Sequence, residues 1–345
     1  MMIVNMATES LREGMILAGN VATNLGEILA NEGDELTAEK IKQIQHFGIR
    51  GVFVYMDGES NEAAFTAHVK RNGFLILEED FPKNLREIMK PGEKLHVKAL
   101  LHNLNEVIKQ QEEKEKLVVI LEEIRENKKE LFGHMISVAL LSQLLAEWLG
   151  CSKDEVNVAT LAGLLHDIGL SNIIDERKGT LIFKDELGAR GYEKHVTDGH
   201  HQLKNLKLSQ PVIRAVLSHH ERIDGRGVPL KIIGAHINKI GRIIAIADAY
   251  DTYTMKYRGE YGYTVLKALQ TLVDDGSHKL DSGYVQVFVE NILDSVLLRM
   301  VGLSDGTTGR IVMINKYDIL YPVVECKGKI VDLSIKKKLY VEEML

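Results

Sequence analysis

Histidines and aspartates stand at the ends of apolar segments in the middle of this chain, where they could hold metal ions. His166 and Asp167 directly follow the apolar residues Leu164 and Leu165. An imidazole beside a carboxylate in apolar surroundings is costly unless a cation or a hydrogen-bond network satisfies both groups. A dipeptide is a weak motif, because a capped helix end with a buried polar pair would explain it equally well. The choice between the two depends on residues elsewhere in the chain.

Further candidates are clustered in the same part of the sequence. Of the 13 histidines, eight lie between residues 134 and 236. Separate segments supply the candidate metal ligands His134, His166, Asp167, His195, His219, His220 and Asp248. Glu130 lies four residues before His134, so a helix through both would place them on one face and let them share a site. The clustering indicates a metal centre that is built from several parts of the chain.

The elements that must position these residues are helical by their periodicity from residue 131 to about residue 297. We predict at least six helices in this stretch. The first would span Leu131–Leu149 and end at Gly150. Ser152 and Glu155 form a capping box, which begins the helix that leads to the central histidine–aspartate pair.

The later helices are predicted from their start signals and apolar spacing. Pro211 suits the first turn of a helix that ends at the pair His219 and His220. A helix at Ile237–Tyr253 would carry Asp248, with Asp251 on a neighbouring position of the same face, where it could orient a ligand or be an ordinary carboxylate. Two further helices are predicted at Thr264–Val273 and Ser282–Leu297.

The flanking segments differ in composition from this helical stretch. The predicted organisation is a small α+β N-terminal domain at 1–58, a linker with charged helices at 59–125, a helical domain at 126–300 and a small β segment at 301–345. The N-terminal domain would contain a helix from Ala38 to about Phe47, capped by Thr37, and a strand at Val52–Tyr55. It has no site motif, so we interpret it as a scaffold or docking module.

Residues 83–129 combine a charge run with an apolar stripe. A charge run of this kind is typical of a solvated helix face. The stripe could pack on the next domain or on a second copy of the chain. A homodimer through residues 83–129 is therefore a hypothesis.

Composition excludes several classes of function. The 345 residues carry a formal net charge of -6, which argues against binding of DNA or RNA, because nucleic-acid binders usually have a basic excess. The charge is compatible with a small anionic ligand. Cys151 and Cys326 stand far apart, so neither a disulfide framework nor a thiolate zinc site is indicated, and a reducing cytoplasm fits best. The sequence has no apolar run of about 18 residues, so no membrane association is expected.

Three motifs occur in a fixed order around the candidate ligands. They are His166-Asp167-Ile168-Gly169, the segment from His219 to Pro229, and the segment from Arg242 to Asp251. Together with His134 and His195 they resemble the HD-GYP branch of the HD phosphohydrolase superfamily, over about residues 130–295. The resemblance implies a mainly α fold, in which an HD-type helical bundle carries the site, with the small α+β domain before it and the short β-rich segment after it.

The resemblance also implies a cofactor and a reaction. Family members hold two, sometimes three, divalent transition-metal ions and hydrolyse cyclic di-GMP. By analogy Asp167 is the catalytic residue that bridges two ions, with His134, His166 and Asp248 on one and His195, His219 and His220 on the other. Glu130 would serve a third ion. Imidazole and carboxylate ligands favour iron or manganese, and two neighbouring ions can activate a bridging hydroxide and stabilise the charge that develops on a phosphodiester.

The chain departs from the family pattern at two positions beside the metal motifs. Leu170 stands where the family commonly has a lysine, and Val228 replaces the tyrosine of the Gly-Tyr-Pro signature. Loss of a charged contact to the transition state can slow a reaction by about 10²- to 10³-fold. The nearest candidates for contact with the substrate phosphates are Arg226, Lys256 and Arg258.

Three functions follow from this pattern. The first is a metal-dependent phosphodiesterase that opens cyclic di-GMP to linear pGpG or carries on to GMP. The second is a weak or inactive sensor of cyclic dinucleotides, and the third is an HD hydrolase of another cyclic dinucleotide or a nucleoside phosphate. The glycine–proline loop at 225–229 favours the cyclic-dinucleotide branch. His200 and His201 are interpreted as structural, and Arg242 as a partner in an ion pair within the bundle.

Overall fold

The structure is a computed structural model. It describes residues 2–56 and 130–344, apart from gaps at 9–10, 19–20, 23–27, 32, 48, 50, 173–183, 256–261, 317 and 336–337. Two compact units divide the chain, at residues 1–81 and 82–345. The predicted linker and the segment proposed for dimerisation, residues 83–129, lie outside the described residues.

The N-terminal unit combines short strands with one helix. Its elements are β1 (Met2–Ala7), β2 (Ile16–Leu17), β3 (Val21–Ala22), β4 (Ile28–Ala30), α1 (Ala38–His46) and β5 (Gly51–Met56). β5 lies between β1 and β2 in an antiparallel sheet. The side chain of Thr37 accepts a hydrogen bond from the backbone N–H of Lys40, which confirms the predicted cap of α1. Leu17, Val54 and Ile44 form part of its core.

The described part of the second unit, from residue 130, is mainly helical as far as residue 296. Its helices are α2 (Glu130–Trp148), α3 (Lys153–Leu165), α4 (Lys184–Asn205), α5 (Gln210–Ser218), α6 (Lys239–Thr254), α7 (Val265–Gly276) and α8 (Ser282–Val296), with 3-10 turns at Ile168–Asn172 and Gly234–His236. Nearly every described side chain of α2 up to Ala146 is buried, so this helix lies in the core. α2 packs on α3 and α6, and these three helices carry or lead into candidate ligands.

The helix boundaries follow local signals that the sequence contains. Gly150 adopts a φ of +67°, which favours glycine, and stops α2. Ser152 and Glu155 form the predicted capping box at the start of α3. Asn238 caps α6 by accepting hydrogen bonds from the backbone N–H groups of Ile240 and Gly241. The predicted capping box and helix stop are therefore confirmed, and α6 begins two residues later than expected.

A five-stranded antiparallel sheet ends the second unit. Its strands are β6 (Met300–Leu303), β7 (Thr308–Met313), β8 (Val323–Cys326), β9 (Lys329–Asp332) and β10 (Val341–Met344), in the order β10-β6-β7-β8-β9. The sheet includes strands that the sequence did not predict, and β6 begins inside the stretch assigned to the helical domain. The expected fold class, mainly α with a β-rich C-terminal segment, is confirmed. Among the described residues, none of the helices has the length and apolar character that crossing a membrane requires.

Candidate metal centre

The helices bring seven predicted ligands together into two neighbouring groups. We call one the loop-side group, which consists of Asp167, His195, His219 and His220. We call the other the helix-side group, which consists of His134, His166 and Asp248. In each group the ligand atoms all lie within 4.8 Å of one another. The five histidines and Asp248 are divided as the family resemblance implies, and Asp167, which the resemblance places between the two ions, falls in the loop-side group.

Asp167 faces both groups with different oxygens. Its Oδ1 lies 3.2 Å from Nε2 of His195 and 3.9 Å from Nε2 of His219. Its Oδ2 lies 3.4 Å from Nε2 of His166 and 3.8 Å from Nε2 of His134. A carboxylate with one oxygen toward each group is arranged to bridge two ions.

Asp248 spans the same boundary from α6. Its Oδ1 lies 3.2 Å from Nε2 of His134, and its Oδ2 lies 3.8 Å from Nδ1 of His220. The two carboxylates therefore stand between five imidazoles, and all seven side chains are buried or nearly so. So many polar groups in a buried space require compensation of their charge.

Backbone carbonyls fix the tautomers of two histidines. The Nδ1 of His166 lies 2.7 Å from the carbonyl oxygen of Gly163, and the Nδ1 of His219 lies 2.6 Å from that of Val216. A carbonyl oxygen can only accept a hydrogen bond, so each Nδ1 carries the proton. Nε2 of each neutral ring then presents a lone pair to the centre, as a metal ligand must.

A carboxylate orients His134 in the same way. The Nδ1 of His134 lies 2.8 Å from Oδ2 of Asp251, which is buried on α6. With that proton donated to Asp251, Nε2 of His134 faces Nε2 of His166 at 3.2 Å. Two lone pairs at this distance repel each other unless a proton or a metal ion lies between them. The donor set therefore fits a metal ion, and Asp251 stands behind a candidate ligand rather than on an ordinary helix face.

Two loop-side histidines are neutral at pH 7, whereas Asp167 is ionised. Burial, with the nearby imidazoles of His166 and His195, lowers the pKa of His219 to about 3. Burial and His219 likewise lower the pKa of His220 well below its usual value. Both rings are neutral at pH 7, as ligands must be. Burial opposes charge on Asp167, but His166 and His195 outweigh it and hold its pKa well below the usual range.

The helix-side histidines attract protons when no cation is present. Burial disfavours the charged form of His134, but its hydrogen bonds to Asp248 and Asp251 hold its pKa well above the usual value. Burial also opposes charge on His166, and Asp167 outweighs it, so the pKa of His166 is raised. A proton and a metal ion compete for the same lone pairs. The centre thus has the charge balance of a site that binds cations.

Close backbone approaches set where the ligands stand. A Cβ at Gly169 would lie 1.9 Å from the carbonyl oxygen of His195, so the turn after Asp167 can touch α4 only because residue 169 has no side chain. A Cβ at Gly241 would lie 2.2 Å from Oγ of Ser218, the residue before His219. These glycines bring the elements that carry the ligands within reach of each other.

The other predicted site residues lie outside the two groups. Glu130 is the first residue of α2, but its side chain is outside the described structure, as are Lys256 and Arg258. Arg226 is exposed in the loop after α5. His201 is exposed and His200 half-buried, and neither belongs to a ligand group. Nη1 of Arg242 lies 2.6 Å from Oδ2 of Asp281, which confirms the predicted ion pair.

Comparison with known proteins assigns the helical unit to a family. A family model described as "HD domain" matches residues 119–283. The chain contains an HD domain. This confirms the resemblance to the HD phosphohydrolase superfamily. The matched stretch holds every member of both ligand groups.

Relatives of the HD domain carry names of phosphodiesterases. The chain is 28% identical over 197 residues to a cyclic di-GMP phosphodiesterase of Pseudomonas aeruginosa, covering 56% of this chain and 47% of the relative. It is 32% identical over 208 residues to 3'3'-cGAMP-specific phosphodiesterase 1 of Vibrio cholerae, covering 57% of this chain and 47% of the relative. Each match thus spans less than half of the relative's length. Among solved structures, an HDG"Y"P protein from Bdellovibrio bacteriovorus aligns with a TM-score of 0.41 and 18% identity, over 85% of this chain and 100% of that one.

Two features of the site were not predicted from the sequence. Glu221 is buried beneath the loop that follows His220, although a glutamate before a glycine-rich loop is ordinarily exposed. Gly169 is needed for contact with α4, and its place in the His-Asp-Ile-Gly motif is the only sequence signal for it. Neither residue belongs to a ligand group.

Proposed function

We propose that the HD domain is a metal-dependent phosphodiesterase that hydrolyses a cyclic dinucleotide, with cyclic di-GMP as the first substrate to test. The observation that carries this proposal is the placement of Asp167, with one carboxylate oxygen toward each of two groups of buried imidazoles. Two cation sites that share a carboxylate suit the cleavage of a phosphodiester, where charge develops on both the attacking and the leaving oxygen.

The loop-side and helix-side groups would each hold one divalent transition-metal ion, iron or manganese by their nitrogen and oxygen donors. When bound, the ions supply Lewis acidity that activates water and offsets the charge of the phosphate. The residues of this chain hold and orient the site. Asp251 and the carbonyls of Gly163 and Val216 hold protons on the Nδ1 atoms of His134, His166 and His219, so that Nε2 of these three rings stays available.

Contacts to the substrate and a third ion are further parts of the proposal. Arg226, exposed in the loop beside His219 and His220, would contact a substrate phosphate. Lys256 and Arg258, which follow α6 in the sequence, would do the same. Glu130, four residues before His134 on α2, would serve a third ion. The product would be linear pGpG, or GMP if a second bond is cleaved.

A second candidate function is a weak or inactive sensor of cyclic dinucleotides. The observation that favours it is Leu170, which stands where related sequences commonly have a lysine and is only 8% exposed. Leucine offers no charge to a phosphate. The names of the Vibrio cholerae relatives also make 3'3'-cGAMP a substrate to test beside cyclic di-GMP.

The deciding experiment measures metal content and turnover on the same protein. The purified full chain is loaded with Fe(II) or Mn(II) without oxygen, analysed for bound metal, and incubated with cyclic di-GMP and with 3'3'-cGAMP. We expect at least two ions per chain and a linear product from one of the two substrates. Metal-loaded protein that binds a cyclic dinucleotide without cleaving it would support the sensor. Protein that binds neither metal nor nucleotide would overturn both candidates.

A further inference from the structure

Glu221, the residue after the pair His219 and His220, is tied to the loop that follows. Its side chain is 3% exposed. One carboxylate oxygen accepts a hydrogen bond from the backbone N–H of Leu230 at 2.6 Å, and the other accepts one from Ile232 at 2.9 Å. A buried carboxylate that uses both oxygens in this way forms short, charge-assisted bonds. Glu221 thus joins the residue behind the ligand pair to the far end of the loop.

The near end of the loop closes on the same ligand pair. The backbone N–H of Val228 donates to the carbonyl oxygen of His220 at 3.1 Å. A Cβ at Gly227 would lie 2.4 Å from Cα of Glu221 and 2.3 Å from the backbone nitrogen of Arg222. The loop therefore lies flat against the backbone that carries His220 and Glu221, and only glycine permits this approach.

Only a carboxylate satisfies the two N–H groups at once. An ionised glutamate accepts at both oxygens, whereas a glutamine accepts at its oxygen and presents an NH₂ group to the other donor. Substitution by glutamine would keep the size of the side chain but place a donor against a donor, which leaves a buried N–H unsatisfied. The charge of Glu221, and not its volume, is what the loop requires.

We infer that Glu221 is a positioning residue for the loop-side metal ion, which it serves by holding His219 and His220 through the loop at 227–232. This inference rests on the proposed metal centre. It does not extend to the helix-side group, because His134 and Asp248 are placed within α2 and α6 and His166 at the end of α3. Loss of the anchor should weaken one ion and spare the other.

The test compares Glu221→Gln with Asp224→Asn in the full chain. Asp224 lies in the same loop and also accepts a backbone N–H, that of Arg226 at 2.9 Å, but it lies nearer the surface and does not reach the residues that Glu221 binds. Metal-free protein is titrated with Mn(II), free ion is measured by electron paramagnetic resonance, and unfolding temperature is recorded. Glu221→Asp, which keeps the charge but shortens the reach, serves as a milder variant.

We expect the wild type and D224N to bind two ions alike. In E221Q one ion should bind as in the wild type and the other about 10- to 100-fold more weakly, as for other groups that support a ligand. In E221Q the electron paramagnetic resonance spectrum of two coupled Mn(II) ions should be replaced by that of a single ion. E221D should lose affinity for the same ion by a smaller factor. If E221Q and E221D bind both ions with wild-type affinity, or if they weaken both ions equally, the inferred role of Glu221 is wrong. The proposed metal centre would not be affected by that result. A wild type that binds no Mn(II) would overturn the proposed function itself.

Discussion

The helix-side and loop-side groups face each other across Asp167, but different structures fix most of their ligands. The exceptions are His166, at the end of α3, and His195, within α4. His134 and Asp248 lie inside α2 and α6, where main-chain hydrogen bonds and the packed core hold them. In the loop-side group Asp167, His219 and His220 stand at or just after helix ends. The positions of those three residues depend on a glycine contact, a buried glutamate and a loop.

The centre thus combines ligands that are held within packed helices with ligands that are held at helix ends by loops. A ligand within a packed helix moves only if the helix moves, and close-packed interiors resist that. A ligand at a helix end moves with its loop, since loops are less stable locally than the elements they connect. We expect the helix-side ion to tolerate surface and loop substitutions that release the loop-side ion.

The largest effect is expected for Asp167→Ala, which removes a ligand from both groups. Metal analysis should find both ions lost or strongly weakened, and turnover of a cyclic dinucleotide should fall by at least about 10³-fold. Asp198→Ala on α4 is the matched control, because Asp198 forms an ion pair with Lys194 near the surface and belongs to neither ligand group. Unchanged turnover in D167A would contradict the assignment of a shared carboxylate.

Gly169→Ala should come next, because the new methyl group would overlap the backbone of His195. Overpacking of this kind costs about 1–3 kcal/mol of folding stability, and its relief requires the turn and α4 to move apart, which separates Asp167 from His195. We expect a lower unfolding temperature and loss of the loop-side ion, with one ion retained. The control is Gly283→Ala on α8, where a Cβ would make only an ordinary contact of 3.5 Å with Oδ1 of Asp281.

Asp251→Asn tests the helix-side group through His134. The amide keeps one acceptor but removes the charge behind the ring, so affinity for the helix-side ion should fall by about 10- to 100-fold. Mn(II) titration measures it, with the exposed Asp274→Asn on α7 as control. A double variant with E221Q should bind both ions more weakly. The losses of binding free energy in the two single variants should add, as expected for sites that act independently. If the combined loss equals that of either variant alone, the two groups are not separate.

The smallest effect is expected for Arg242→Met, although Arg242 lies on the same helix as Asp248. Its guanidinium pairs with Asp281 and lies over the ring of Tyr284 at 4.9 Å from the centroid. Removal of a half-buried ion pair should lower the unfolding temperature by the equivalent of about 1 kcal/mol and leave the affinity for both ions unchanged. A rise in KM for the dinucleotide would instead indicate that Arg242 contacts a phosphate.

The ligand residues could be found in the sequence because their residue types are costly to bury without a cation. His166 and Asp167 follow an apolar run, and their partners stand at ends or faces of helices whose caps and periodicity are readable. Ser152, Glu155, Gly150 and Thr37 act as their types predict. The ligand roles themselves stay predictions until metal is measured.

The supporting residues could not be found in this way, because their roles depend on contacts between distant segments. Nothing around Glu221 in the sequence indicates that its carboxylate is buried against Leu230 and Ile232. The C-terminal sheet was underestimated for a related reason. Every residue of β9 (Lys329–Asp332) is exposed or half-buried, so the alternation that reveals a strand is missing, and β6 begins four residues after α8 ends.

The glycines at 169, 227 and 241 have a consequence for protein design. A designer who transplanted the seven ligand side chains into another helical bundle would copy every atom that can touch a metal and still fail to copy the centre. The distances between the ligands depend on three places where backbone meets a neighbouring segment without a Cβ between them. A successful transplant would therefore have to specify empty positions as strictly as it specifies imidazoles and carboxylates.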